Sequence, residues 1–323
     1  VGERCALIYD WRVPEQNTIA HMRLRLGGAV FLFLLHTLPS VGQELEPAAY
    51  KVVPINVNLF QTGYILAVGD VNFAPALPVE DAEATIHSMT VLYGRTLGLF
   101  GRSANATIVM PYTVGHLEGN YLGIFTEVDR SGLRDPMLRL AVNLYGGPAM
   151  ELKEFAAYKP KTNIGASLRI LAPLGEYDST KLINLGTNRW SFKPEIAVTR
   201  ALGKWSLELY AGVWFFTDNT DFFGGLTREQ DPIGSLQMHA IYTFKPGMWI
   251  ALDLNYYNGG TTKVDGLENL DLQQNSRVGL TYLLPLNRRS SLKFAYSRGA
   301  RTTIGAAFDA LAVGYAYAWG GGM

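Results

Sequence analysis

The chain has 323 residues, of which 48% are apolar and 17% charged, with 34 Gly, 17 Tyr, 15 Phe and 6 Trp. That composition excludes a disordered polymer. Lys+Arg and Asp+Glu balance at 28 each, leaving no net basic field for nucleic acid. A single cysteine, Cys5, excludes a disulfide scaffold and any cysteine-based zinc site. Low charge with abundant glycine and aromatics suits a β-rich protein whose outer surface does not meet only water.

In chain order, the first readable element is a leader. Met22 is followed by Arg23 and Arg25, an apolar run from Leu26 to Leu35, and then Ser40 and Gly42 at −3 and −1 of a cut. This is the layout of a secretory signal over 22–42, with Gln43 opening the mature chain. The apolar run is too short for the roughly twenty residues of a spanning helix. Residues 1–21, which hold Cys5, read as an over-extended gene-model segment, so the exported chain 43–323 carries no cysteine.

Beyond Gly42 short segments alternate strictly. Leu138, Leu140, Val142 and Leu144 are interleaved with Arg139, Ala141 and Asn143. Ile164–Ile170, Trp205–Phe216, Leu236–Phe244, Ile250–Tyr256 and Val278–Leu286 repeat the pattern. A period of two is the strand period. With weaker segments near 53–68, 84–96, 104–114, 189–200, 291–298 and 306–319 the count is roughly twelve strands, the length of tilted membrane spans.

The connections sort into two kinds. Leu202-Gly203-Lys204, Lys245-Pro246-Gly247 and Asn287-Arg288-Arg289 are tight. Those after strands 1, 3, 5, 7 and 9 are expected to be loops of about 14–18 residues, and Ala149–Tyr158 a short periplasmic helix. The fold class is therefore all-β, a transmembrane antiparallel up-and-down barrel, with a soluble β-sandwich as the rival that periodicity alone leaves standing. Aromatics near segment ends (Trp190, Trp205, Tyr256, Tyr282, Tyr317, Trp319) and charges in mid-strand on the opposite face favour the barrel.

Those charges are the candidate channel lining: Arg139, Arg169, Lys193, Arg277 and Lys293 against Glu195, Glu208 and Asp253, with Tyr210, Trp214 and His239 on the same faces. Either opposite charges pair across a narrow lumen and partly fill it, or a slight cationic excess selects anionic or π-rich solutes. The aromatics Tyr210, Trp214, Phe216 and Tyr257 serve equally as stacking surfaces or as filling. The outer loops are acid-rich, through Asp70, Glu80, Asp81, Glu83, Glu118, Glu127, Asp129, Asp218, Asp221, Glu229, Asp231, Asp265, Glu268 and Asp271. Most of these read as solvated; the sharper reading is divalent cations bridging lipopolysaccharide phosphates, without an assignable metal ligand.

Catalytic signatures are missing beyond the leader: no His-Glu-x-x-His, no Gly-x-Ser-x-Gly and no phosphate-binding loop. Of His87, His116 and His239, none has a serine two residues on, so no nucleophile stands beside a base. No cofactor is expected, and no enzyme activity.

Three stretches carry a family resemblance: Leu97–Ser103, Leu182–Trp190, and Asp221–Gly225 running on to Arg228–Pro232, with Trp319–Gly322 at the C-terminus. Over most of 45–323 the chain resembles the MetA-pathway of phenol degradation family. The resemblance implies an outer-membrane barrel with a role in uptake of hydrophobic or aromatic compounds, and no functional residues to carry over. The expectation is a monomeric channel for small molecules, or else a closed structural or adhesive barrel. Its partners would be outer-membrane lipids, lipopolysaccharide and the barrel-assembly machinery. The segment 43–52 reads as too small for a plug domain, which leaves an inward-folded outer loop as a means of closing the pore.

Overall fold

The computed structural model describes residues 45–73 and 79–322. The expected leader, the segment before it and Cys5 lie outside the described residues. Alternation becomes strand throughout: β1 Val57–Asn72, β2 Val79–Leu99, β3 Arg102–Tyr121, β4 Ile124–Leu133, β5 Met137–Tyr145, then helix α1 Leu152–Phe155. Next come β6 Thr162–Leu171, β7 Ser191–Leu202, β8 Trp205–Phe216, β9 Asn219–Phe222, β10 Leu226–Gln230, β11 Ile233–Lys245 and β12 Met248–Gly259. The last are β13 Thr262–Val264, β14 Leu267–Glu268, β15 Gln273–Pro285, β16 Ser290–Arg301 and β17 Gly305–Gly320.

Each barrel strand pairs antiparallel with the next, and β17 returns to β1 with unbroken register from Val57↔Gly320 to Asn72↔Gly305. β4 and β5 form a single stave on β3, interrupted at Arg134-Asp135-Pro136, where proline has no N–H to give the ladder. The result is a closed barrel of twelve strands. The short strands β9, β10, β13 and β14 form a separate four-stranded sheet, built from the connections after β8 and β12.

Outward positions are apolar and bare. Leu140, Leu207 and Leu252 are each about half exposed, as are Met110 and Tyr256. A continuous apolar shell of this kind is stable against hydrocarbon, not water. Near the end that carries the tight turns, Trp205 meets Tyr242 at 5.0 Å and Tyr317 stacks on Trp319 at 5.9 Å, an interfacial rim. The sandwich rival is excluded, because the main sheet closes on itself.

Two expectations are corrected. The loops expected after strands 1 and 3 are largely strand: β2 begins at Val79, and β3 and β4 continue to a two-residue turn at Leu122-Gly123. Both turn residues have positive φ, 52° and 76°, the twist that keeps hairpin strands paired. Glu80, Asp81, Glu83, Glu118, Glu127 and Asp129 therefore sit on paired strands. The expected helix over 149–158 is reduced to the single turn of α1.

The residues before β1 add a feature that no sequence pattern marks. Leu45, Glu46, Ala48, Ala49, Tyr50, Val52 and Val53 are all buried. The segment threads into the barrel and occupies it, although it is far too short to be a domain. The wall is shaped for it: a Cβ on Gly165 would lie 2.4 Å from the Tyr50 ring, and one on Gly279 2.5 Å from Leu45.

If Leu140 faces acyl chains, Leu140→Arg should destabilise the folded barrel by about 2–4 kcal/mol, measured by reversible denaturant titration into lipid vesicles. An unchanged midpoint would place Leu140 outside the hydrocarbon.

Candidate functional site

The interior of the barrel is the site, and strand pairing dictates its layout. Arg139 of β5, Arg169 of β6 and Lys193 of β7 are successive cross-strand partners, a row of three cations. Like charges directly opposite one another destabilise a sheet unless a counter-charge intervenes. Glu208, His239 and Asp253 form a second row across β8, β11 and β12. Each of the eleven expected lining residues, Tyr210, Trp214, Arg277 and Lys293 included, is buried inside the barrel.

The counter-charge for the cation row comes from the N-terminal segment. Glu46 accepts two hydrogen bonds from the Arg169 guanidinium, with both side chains fully buried. Glu195 accepts from Lys193 Nζ at 2.7 Å and lies 3.8 Å from Arg169. The Tyr50 hydroxyl donates to Glu195 at 2.9 Å and lies 2.6 Å from Ser167 Oγ. Arg139 caps the same ring, its guanidinium 4.7 Å from the Tyr50 centroid. Backbone groups of the segment are met too. Ala48 N donates to Glu208 at 2.8 Å, Ala49 N to the Tyr210 hydroxyl, and Asn163 Nδ2 donates to the Tyr50 carbonyl. The segment is bonded into the lumen residue by residue.

On the other side, His239 Nδ1 and the Thr281 hydroxyl both engage Asp253, at 2.8 and 2.6 Å. Arg277 donates to the Phe308 carbonyl and to Ser297 Oγ. Lys293 differs: its Nζ is buried and, among the described residues, meets no hydrogen-bond partner. Trp214 stands 5.8 Å from Lys193 Nζ, and Tyr210 packs edge-on against Tyr50 at 5.0 Å. The aromatics thus pack within the filled lumen.

Glu46 and Tyr50 escape sequence reasoning because Glu46-Pro-Ala-Ala-Tyr50 has no strand or helix period, and no periodic pattern marks a segment whose wall surrounds it. Of the expected interior charges, five cations and three carboxylates, the balance changes once Glu46 is counted. Among the described residues, His87, His116 and His239 are bonded to Tyr64, Asp129 and Asp253, none to a serine.

The mouth opposite the tight turns is tied by residues of the stretches 182–190 and 228–232. Asp135 accepts from Gly175 N, Thr187 N and the Thr187 hydroxyl, and Arg189 donates to Gln230 while covering the Phe216 ring at 4.4 Å. Asp178 lies in the same connection, and the Lys181 ammonium with the Thr180 hydroxyl and N–H holds its carboxyl well below the usual range. On the outward face of the β3–β4 hairpin, ligand-type atoms of half-buried His116 and Glu118 and exposed Glu127 lie within 4.8 Å of one another, with His116 Nδ1 2.8 Å from Asp129.

Breaking the buried Glu46–Arg169 pair leaves Arg169 with only the more distant Glu195, at a cost of up to about 3–5 kcal/mol. Glu46→Gln should therefore loosen the segment, and a cysteine placed by Ala48→Cys should react faster with a water-soluble maleimide in that background. Equal labelling rates would show that the pair does not hold the segment.

The profile of the MetA-pathway of phenol degradation family matches residues 71–311. Among solved structures, an outer membrane channel from Pseudomonas putida F1 superposes with TM-score 0.73 at 22% identity, covering 85% of this chain and 100% of that one. A deletion mutant of the monoaromatic hydrocarbon channel TodX aligns at TM-score 0.46 and 11% identity over 84% of this chain and 92% of that one. The β domain of the Bordetella autotransporter BrkA aligns at 0.46 and 12%, over 81% and 99%. A comparison with curated proteins found no match. The barrel has the fold of an outer membrane channel, and the chain belongs to the MetA-pathway of phenol degradation family.

Proposed function

We propose that this protein is an outer-membrane channel for passive uptake of small molecules, with aromatic or hydrophobic compounds as the solute class. The observation that carries the reading is a closed shell, apolar outside, around an interior of charged, hydroxylic and aromatic side chains. A barrel that served only as an anchor gains nothing from burying Arg139, Arg169, Lys193, Arg277 and Lys293, each of which costs desolvation. In this reading Arg139, Arg169, Lys193, Glu195, Glu208, Tyr210, Trp214, His239, Asp253, Arg277 and Lys293 line the conduction path. The chain is exported by its leader, inserted by the assembly machinery, and surrounded by lipid and lipopolysaccharide. Transport needs no covalent chemistry, and the protein is not an enzyme. The family supports the solute class.

The segment 45–56 makes the path conditional. It occupies the lumen, so solutes pass where it leaves room or when it shifts. The same fact favours the second reading, a non-conducting structural or adhesive barrel that engages lipopolysaccharide or a partner through its outer connections.

Planar-bilayer recording separates the two. The channel reading expects small steps from the intact protein and larger, steady ones after deletion of 45–52. Silence from a folded deletion variant would favour the structural barrel. On the deletion background Arg139→Ala should move ion selectivity toward cations, because the cation row loses a member. An unchanged reversal potential would put Arg139 outside the path.

A further inference from the structure

Between β1, β2, β15, β16 and β17 the interior is not filled. A cavity opens there, walled by Ile65, Ile86, Ala295, Phe308 and Ala312, with Leu45 of the N-terminal segment at its edge. Register explains the space. Lys293 of β16, Gly314 of β17, Gly63 of β1 and Thr90 of β2 are successive partners in one row. Residues in one such row face the same side of the sheet. Two adjacent glycines there put no side chain into the lumen over two strand spacings of about 4.8 Å each. The row is closed at either end by a polar group without a partner among the described residues, Lys293 Nζ and Thr90 Oγ1, both buried.

The charge of this cavity has one sign. Its lining includes Arg134, Arg277 and Lys293 and no carboxylate. The nearby acids, Glu46 and Asp253, attract Lys293 only through space; their hydrogen bonds go to Arg169 and to His239 and Thr281. Arg277 is likewise occupied by the Phe308 carbonyl. Lys293 is left as a desolvated ammonium facing an apolar bay, a costly arrangement unless an anion completes it. A simple inorganic anion would lose its hydration against the apolar wall. A neutral hydrocarbon would leave the ammonium unpaired, and a cation would be repelled. An amphipathic anion satisfies both halves of the site.

We propose that this cavity binds a small amphipathic carboxylate, its anionic group on Lys293 Nζ and its aryl or short alkyl body between Ile65, Ile86, Ala295 and Ala312. The inference deepens the channel reading by naming a solute class and relies on that reading only for the ligand's passage. Lys293 is the anchoring group, and the Gly63–Gly314 pair supplies the room.

The test uses the full mature chain in lipid nanodiscs, where no detergent competes, and calorimetry with three probes of one shape: 4-phenylbutyrate, 4-phenylbutan-1-ol and 4-phenylbutylamine. The carboxylate should bind roughly tenfold tighter than the alcohol, and the amine more weakly than either. Lys293→Met keeps the stem without the charge and should erase the preference while the alcohol still binds. Lys293→Arg should retain it. Gly314→Leu fills the bay and should weaken carboxylate and alcohol together, which keeps the site testable if Lys293→Met fails to fold. Equal affinities for the carboxylate and the alcohol, no detectable binding of any probe, or a preference that survives Lys293→Met would overturn the proposal. A protein that passes neutral solutes without the preference loses this site and keeps the channel reading. One that binds the carboxylate through Lys293 yet conducts nothing does the reverse.

Discussion

In hydrocarbon an unpaired N–H or C=O has no water to turn to, and each costs several kcal/mol. The seam between β1 and β17 answers that constraint: sixteen register pairs join the first strand to the last and leave the main sheet without a free edge in its spanning part. From that closure the rest follows. Once the sheet is a cylinder, every second side chain must meet lipid and every other one must share a confined interior. The first set became Leu, Val, Met and aromatic residues, and the second became the charged and small residues that sequence alternation displayed.

The confined interior raises a second problem, because charges placed there must be compensated on the spot. Strand register sets Arg139, Arg169 and Lys193 side by side, and the wall supplies Glu195 alone close to them. Glu46 completes the set from a segment that belongs to no strand. The same segment brings Tyr50 over the Arg139 guanidinium and turns its own N–H groups toward Glu208 and Tyr210. Electrostatics and backbone satisfaction thus choose one placement for a stretch with little intrinsic conformational preference.

The barrel and the inward residues were legible because both rest on the two-residue period, which a single sequence carries in full. Arg139, Lys193, Glu208 and Asp253 are found where alternation puts them. Strand ends were less legible. Past the membrane the hydrophobic contrast fades, so the β3–β4 hairpin, with Glu118, Glu127 and Asp129 along it, reads as loop although its backbone pairs to Leu122-Gly123. The role of 45–56 was not legible at all, since its partners are about 40 to nearly 200 residues away and share no local pattern with it. The open bay was equally hidden: Gly63 and Gly314 look unremarkable in separate strands and become a gap only when β1 and β17 are laid together.

The N-terminal segment also carries a consequence for biogenesis. It precedes β1, and β1 makes the final seam with β17. A chain that must end up enclosed by a cylinder it helps to close cannot be added freely from the side afterwards. Either it is laid against the half-built wall of β6, β7 and β8 while the seam is still open, or it is drawn in from the end with the tight turns once the hoop is shut. The first order lets Glu46 neutralise the arginines before the wall surrounds them. In that order the twelve residues 45–56 serve as an internal template for assembly as much as a stopper for the finished barrel.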